Sequence, residues 1–185
     1  MTPEELLEQL KQKFGDAITE GEVKGAEVCL TAAPGASWEV CRFLRDAGFE
    51  YLNCLSGADW ISRLEVVYDI SSLLHSTKVH LRVSLGRENP SVRSVTDIWR
   101  AANWHERECY DLFGVRFEGH PDHRRILLPE DWAGFPLRKD YRDERMVPYT
   151  DYGMEEKAPK AEGEKAAPKA AAAPKPPSAS WAAGS

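Results

Sequence analysis

The sequence predicts an α+β fold: a two-layer domain with a mixed, largely antiparallel sheet covered by helices on one face, followed by an extended C-terminal arm. Three observations carry this expectation. Segments of period-two hydrophobicity and segments of helical spacing alternate in the order α-β-β-α-β-β-β. Residues 63–70 and 78–85 read as an antiparallel hairpin with one polar and one apolar face, so one side of the sheet needs a cover. Beyond residue 114 neither period persists for long.

Thr2-Pro3-Glu4-Glu5 opens the first helix, with Thr2 as cap, Pro3 suited to the first helical position and Glu5 completing a capping box. Leu6, Leu7, Leu10 and Phe14 form its apolar stripe, and Gly15 ends it. Residues 17–23 read as a short strand, and a turn at Lys24-Gly25 leads to a second in which Ala26, Val28 and Leu30 alternate with Glu27, Cys29 and Thr31. After Pro34-Gly35, Ser37 is expected to cap a helix reaching Ala47, with Val40, Cys41, Leu44 and Ala47 inward and Gly48 as its stop. Residues 49–55 form a third strand leading into Gly57-Ala58-Asp59-Trp60. The hairpin then places Leu64, Val66, Tyr68 and Ile70 on one face of its first strand and Val79, Leu81, Val83 and Leu85 on one face of its second. A loop with Asn89-Pro90 follows. Ser94-Val95-Thr96-Asp97 is expected to start a short helix through Ala102. Asn103-Trp104-His105-Glu106 reads as a second capping arrangement, for a helix running to Phe113 and stopping at Gly114.

Composition divides the rest. Residues 1–114 are assigned to the α+β domain, 115–154 to the arm and 155–185 to a disordered tail. The tail holds eleven Ala, five Pro, five Lys and four Glu with one aromatic, Trp181, and such a stretch cannot bury enough apolar surface to offset its chain entropy. It is either a solvated extension or a tether that docks through Trp181. The arm contains Pro121, Pro129, Pro136 and Pro148 among aromatics and charges, which suits a segment that lies on another surface. Net charge is −6 overall; the tail carries +1, leaving −7 on residues 1–154 and arguing against a general nucleic-acid binder. No run of apolar residues is long enough for a transmembrane helix, and the acidic, amphipathic N-terminus is unlike a secretory signal. Cys29, Cys41, Cys54 and Cys109 contain no C-x-x-C spacing, which points to reduced thiols in a cytoplasmic protein rather than a cluster or zinc site.

The most informative segment is Glu106-Arg107-Glu108-Cys109-Tyr110-Asp111-Leu112-Phe113. Arg107 and Asp111 are four apart and can pair on one helix face. Buried unpaired, charges in so aromatic a segment would be costly. They are either solvated with local ion pairs, or the acids reach Arg or Lys on a neighbouring surface.

This octapeptide, followed by six residues, His120, three residues, Arg124, one residue and Ile126-Leu127, resembles the signature of the thirty-kilodalton subunit family (the C subunit) of the proton-pumping NADH–quinone oxidoreductase, respiratory complex I. The flanks are similar too: Val95-Thr96-Asp97-Ile98-Trp99, Phe117-Glu118-Gly119-His120-Pro121-Asp122 and Pro136-Leu137-Arg138-Lys139-Asp140-Tyr141. The resemblance covers about residues 89–141; earlier residues share only element order and Gly57-Ala58-Asp59, and the tail departs from the pattern. It implies a non-catalytic structural subunit of the hydrophilic arm, peripheral on the cytoplasmic face of the inner membrane and held there through the complex. Its partners would be the large quinone-site subunit and neighbouring Fe–S subunits. FMN, Fe–S clusters and quinone would sit on other subunits, with none bound by this chain. Its partner-interface residues would be Glu106, Arg107, Glu108, Asp111, Phe113, His120, Arg124, Arg125, Arg138, Lys139, Asp140 and Tyr141. Arg prefers bidentate carboxylate pairs, and prolines reduce the entropy lost when such an arm docks.

Other sites weigh less. In His120-Pro121-Asp122-His123 the proline prevents a regular helix from aligning two imidazoles on a metal. Cys109 has no cation beside it in sequence to depress its pKa, and Asp59 reads as a cap or turn residue at a strand end. The cations at 138–145 are interleaved with acids, against nucleic-acid binding. Four functions remain to compare: the structural subunit above; its equivalent in a complex with another electron donor or in a membrane-bound hydrogenase; a free-standing enzyme, for which no complete site is visible; and a soluble adaptor.

Overall fold

The structure, a computed structural model, describes residues 1–143. The predicted tail, with Trp181, and residues 144–154 of the arm lie outside the described residues. Helix α1 (Pro3–Phe14) forms the capping box: the Thr2 amide donates to Glu5 Oε2 (2.9 Å) and the Glu5 amide to Thr2 Oγ1 (3.2 Å). Strands β1 (Ile18–Lys24) and β2 (Glu27–Ala32) follow, then α2 (Ser37–Asp46), β3 (Tyr51–Asp59), β4 (Leu64–Ser72) and β5 (Thr77–Leu85). The strands make one five-stranded sheet of order β1-β2-β5-β4-β3. It is mixed, with β2 and β5 parallel and the other pairs antiparallel, as predicted.

Register explains why the sheet closes over one core. Val28, Val79, Ile70 and Leu52 stand in one row across four strands; Leu30, Leu81, Tyr68 and Leu55 form the next; Ala32, Val83, Val66 and Gly57 the third. Leu52 and Leu55 are an odd number apart and would point to opposite faces in a regular strand. A bulge between Leu52 and Cys54 absorbs the extra residue and keeps both inward. Leu6, Leu7 and Leu10 of α1 and Val40, Cys41 and Leu44 of α2 join this core. Each fully buried Leu contributes about 1.5–3 kcal/mol.

Four local expectations are corrected. Ser37 is the first residue of α2 rather than its cap, because a 3-10 turn at Pro34–Ala36 runs straight into the helix and Ser37 Oγ donates back to the Pro34 carbonyl (2.8 Å). Strand β3 continues past residue 55 to Asp59. The segment after the short strand β6 (Ser91–Arg93) makes two successive turns, one closed on the Val95 carbonyl and one on the Trp99 carbonyl, not a helix through Ala102. Its start is diverted: Ser94 Oγ and the Val95 amide are bound by a carboxylate from the next helix. That helix, α3 (Ala102–Phe113), begins one residue before the predicted cap, has no side-chain cap, and ends at Gly114 in the left-handed region (φ 73°), the conformation that favours glycine. A three-residue strand, β7 (Arg116–Glu118), then pairs parallel with β6.

Candidate partner interface

Helix α3 packs on β3, and Gly57 sets the distance. A Cβ there would lie 2.6 Å from Cδ2 of Phe113, so only glycine permits this approach. The inward side of α3 carries Ala102, Glu106 and Cys109, and the outward side exposes Trp104 and Glu108 one turn apart.

Glu106 is fully buried. Its Oε1 accepts the Val95 amide (2.7 Å), its Oε2 accepts the Ser94 hydroxyl (2.7 Å), and His120 Nε2 stands 3.9 Å from Oε2. Burial pushes its pKa up to about 7, against the pull of those two hydrogen bonds. His120 is neutral by its contacts: Nε2 donates to the Asn103 carbonyl (3.2 Å) and Nδ1 accepts the Asp122 amide (3.0 Å). His123 Nε2 accepts the Phe117 amide (3.0 Å). Three of the four imidazole nitrogens of the His120/His123 pair are thus committed to backbone groups, and burial holds both pKa values below the ordinary histidine range.

Arg107 and Asp111 do not pair with each other. Arg107 reaches the arm, donating from Nε to the Arg124 carbonyl (3.1 Å) and from Nη2 to the Arg125 carbonyl (3.0 Å). Asp111, also fully buried, accepts three successive amides on Oδ2: Ile126 (3.1 Å), Leu127 (2.8 Å) and Leu128 (2.9 Å). Its Oδ1 takes Arg125 Nη1 at 2.7 Å. Burial alone would raise the Asp111 pKa; the amides of Leu128 and Leu127, the Arg125 guanidinium and the Ile126 amide outweigh it and hold it below the usual carboxylate value. Arg125 Nη2 extends the clasp to the carbonyls of Trp132 and Gly134 (both 3.1 Å).

A second clasp lies at the end of β3. Asp59 accepts the Ile61 amide on Oδ1 (2.7 Å), the turn role expected of it, and also binds Arg87 Nη1 and the Lys139 amide (2.9 Å). Burial opposes ionisation here too, but Arg87 and the two amides bring the Asp59 pKa down to about 2. Arg87 Nη2 also pairs with Asp140 (2.8 Å), Arg138 Nε donates to the Phe113 carbonyl (2.6 Å), and the Leu137 amide to the Leu112 carbonyl (3.1 Å).

The signature residues therefore divide. Glu106, Arg107, Asp111 and His120 are turned inward and partnered within the chain; Phe113 and Arg125 are half-buried in the same joints. Glu108, Arg124, Lys139 and Asp140 stay exposed, with Arg138 and Tyr141 half-buried at the rim; Arg124 pairs with Asp122 (2.7 Å) and Tyr141 donates to Asp143 (3.0 Å). Sequence reasoning missed the Asp59–Arg87 hub and the Ser94–Val95 seat for Glu106, since no local motif marks partners this far apart. Cys41 and Cys109 are buried thiols whose pKa burial holds far above the ordinary value. Among the described residues no group of three or more His, Cys, Asp or Glu could hold a metal, and no helix is long and apolar enough to cross a membrane. Trp104 and Glu108 on α3, Leu127 on the arm, and Leu137, whose amide is bound to the Leu112 carbonyl, are all exposed.

Comparison with known proteins agrees with the resemblance. The family described as "Respiratory-chain NADH dehydrogenase, 30 Kd subunit" matches residues 30–146. The chain is 42% identical over 151 residues to the NADH-quinone oxidoreductase C subunit of Chloroherpeton thalassium, covering 76% of this chain and 63% of that one. It is 42% identical to the same-named protein of Salinispora tropica (73% and 58% covered) and 41% identical to that of Chlorobium phaeobacteroides (72% and 84%). It thus spans about three fifths of the length of the first two relatives. Among solved structures, a trypsin-resistant fragment (1–134) of Nqo5 matches with TM-score 0.58 at 32% identity, over 66% of this chain and 99% of that one. A chain of an archaeal membrane-bound sulfane sulfur reductase shares the fold with TM-score 0.66 at 23% identity, over 75% and 85%. The chain belongs to the thirty-kilodalton subunit family of the respiratory-chain NADH dehydrogenase.

Proposed function

We propose that this chain is a non-catalytic structural subunit of the hydrophilic arm of a proton-translocating NADH–quinone oxidoreductase, holding the quinone-site and cluster-bearing subunits in register. The observation that carries the reading is the double clasp. Arg107 and Asp111 of α3 and Asp59 at the end of β3 spend buried charge on pinning the arm between Arg124 and Lys139, while Trp104, Leu127 and Leu137 are left exposed. A preformed face loses less entropy on docking than a free arm does, so more of its contact energy appears as affinity. Trp104, Leu127 and Leu137 are the expected anchors, with Glu108, Arg124 and Lys139 as the polar rim. The effect on catalysis is indirect: subunits that carry electrons must be held at fixed separations. FMN, Fe–S clusters and quinone belong to the other subunits, and the chain sits at the cytoplasmic face of the membrane through them. Relatives at about 42% identity that bear the NADH-quinone oxidoreductase name favour this machine over one with another donor.

The test is affinity purification of the chain from detergent-solubilised membranes, with companions identified by mass spectrometry. A set of flavin- and cluster-bearing subunits supports the proposal; a chain that purifies alone, or that oxidises NADH alone, overturns it. Trp104→Ala and Leu137→Ala are each expected to loosen retention without shifting any cluster potential.

A further inference from the structure

An open cleft of about 940 Å³ lies between the Asn89-Pro90 loop, β7 and the arm. Arg87, Arg116 and Arg138 line it, with Tyr110 and Phe135 as aromatic walls, and Glu118 is its one carboxylate. The three guanidiniums are not equivalent. Arg87 is neutralised by Asp59 and Asp140. Arg138 uses only Nε, on the Phe113 carbonyl, and lies over the Phe135 ring at 5.0 Å, leaving its two terminal nitrogens without a protein acceptor among the described residues. The exposed Arg116 side chain has neither an ion pair nor a hydrogen bond among the described residues. Two uncommitted guanidiniums facing one cleft match carboxylates, which they bind in bidentate pairs. The cleft is open and its lining is more polar than apolar, unlike the enclosed apolar pockets that hold small ligands. Leu137, which precedes Arg138 in the chain, is exposed.

We propose that this cleft receives an extended acidic segment of a partner subunit, with Arg116 and Arg138 as its two carboxylate anchors. The inference rests on the structural-subunit reading above and names the chemistry of one contact within it. The occupant is a polypeptide carrying Asp or Glu, laid across Tyr110 and Phe135.

The experiment uses the assembled complex in solubilised membranes. The R116K variant retains the cation and supplies an amine for zero-length carbodiimide coupling. A coupled peptide joining position 116 to an Asp or Glu of another subunit is expected. In parallel, R116E is expected to lower the fraction of chain retained in the complex at least tenfold, because it sets like charges against each other, while R116K retains it. The proposal is overturned if position 116 couples only to Glu118 or to residues 144–164 of this same chain. It is also overturned if nothing couples and R116E is retained like the wild type, or if retention follows anionic lipid rather than protein. Should the wild-type chain itself be missing from the complex, the structural-subunit reading fails first. An intact complex without the coupled peptide removes only the cleft assignment.

Discussion

Asp111→Asn tests the clasp at its most loaded atom. The substitution keeps volume and shape and removes one charge. In the wild type a fully buried carboxylate takes four hydrogen bonds, three from successive amides and one from Arg125, whose side chain is only 13% exposed. The carboxamide can still offer one oxygen to the amides, but its NH2 then faces the Arg125 guanidinium, donor against donor. Breaking a buried ion pair on one side costs about 3–5 kcal/mol, and the neutral acceptor weakens the amide bonds further. The whole domain is stable by only about 5–15 kcal/mol. Because residues 119–143 can lift from α3 and return Arg125 to water, the loss is expected as local opening before global unfolding. Native-state hydrogen exchange at the amides of Ile126, Leu127 and Leu128 reads it directly, and a drop of about 4 kcal/mol speeds their exchange about a thousandfold. The Asp111→Asn, Arg125→Ala pair should cost less than the sum of the single changes. If those three amides exchange within tenfold of the wild-type rate, the claim that Asp111 pins the arm is wrong.

Other consequences concern protons and packing. Glu106 has a folded pKa of about 7 against an ordinary 4.5, so its favourable contribution is full below pH 4.5 and lost as pH rises through 7. The stability gap between Glu106→Gln and wild type, from urea unfolding, should therefore shift by about 3 kcal/mol between pH 4.5 and pH 8. His120 and His123 act in the opposite sense. Their folded pKa values lie below 6.5, so their contribution is intact above that pH and lost below it, and the Glu106→Gln variant should weaken steadily from pH 7 to pH 5. Tyr68 Oη is buried without a hydrogen-bond partner among the described residues, so Tyr68→Phe should leave thermal stability unchanged or raise it by about 1 kcal/mol; a loss above that would mean the hydroxyl has a partner, such as a bound water. Gly57→Ala should destabilise by about 1–3 kcal/mol through the Phe113 ring, and Phe113→Leu in the same chain should recover part of it.

Much of this protein was legible without coordinates, because much of it is local. The capping box of α1, the alternation in β4 and β5, and the stop at Gly114 each depend on residues within a few positions of one another, and each stands where spacing placed it. The error at Ser37 is local, since the Pro34–Ala36 turn runs into α2, but those around the signature share a long-range cause. Ser94 has the look of a helix start, but Glu106, twelve residues later, takes its hydroxyl; Arg107 and Asp111 have the spacing of a pair, but each has a partner 14–18 residues away on the arm. Asp59 and Lys139 are 80 residues apart, and nothing near either announces the bond.

The linear chain by itself determined α1, α2, α3, the five strands of the sheet, their order and the family, but not the β6–β7 pair, because backbone preference and hydrophobic period act over one or two turns and because Glu106 to Leu127 forms a long, specific motif. Only the tertiary structure decided what that motif is for inside the molecule. A buried charge must find a counter-charge or a nest of amides, and which of these lies within about 3 Å is settled by how α3 packs on β3 and how the arm returns across it. For that reason Glu106, Arg107 and Asp111 face inward as fasteners, and the surface they hold in place carries Trp104, Leu127 and Leu137 outward.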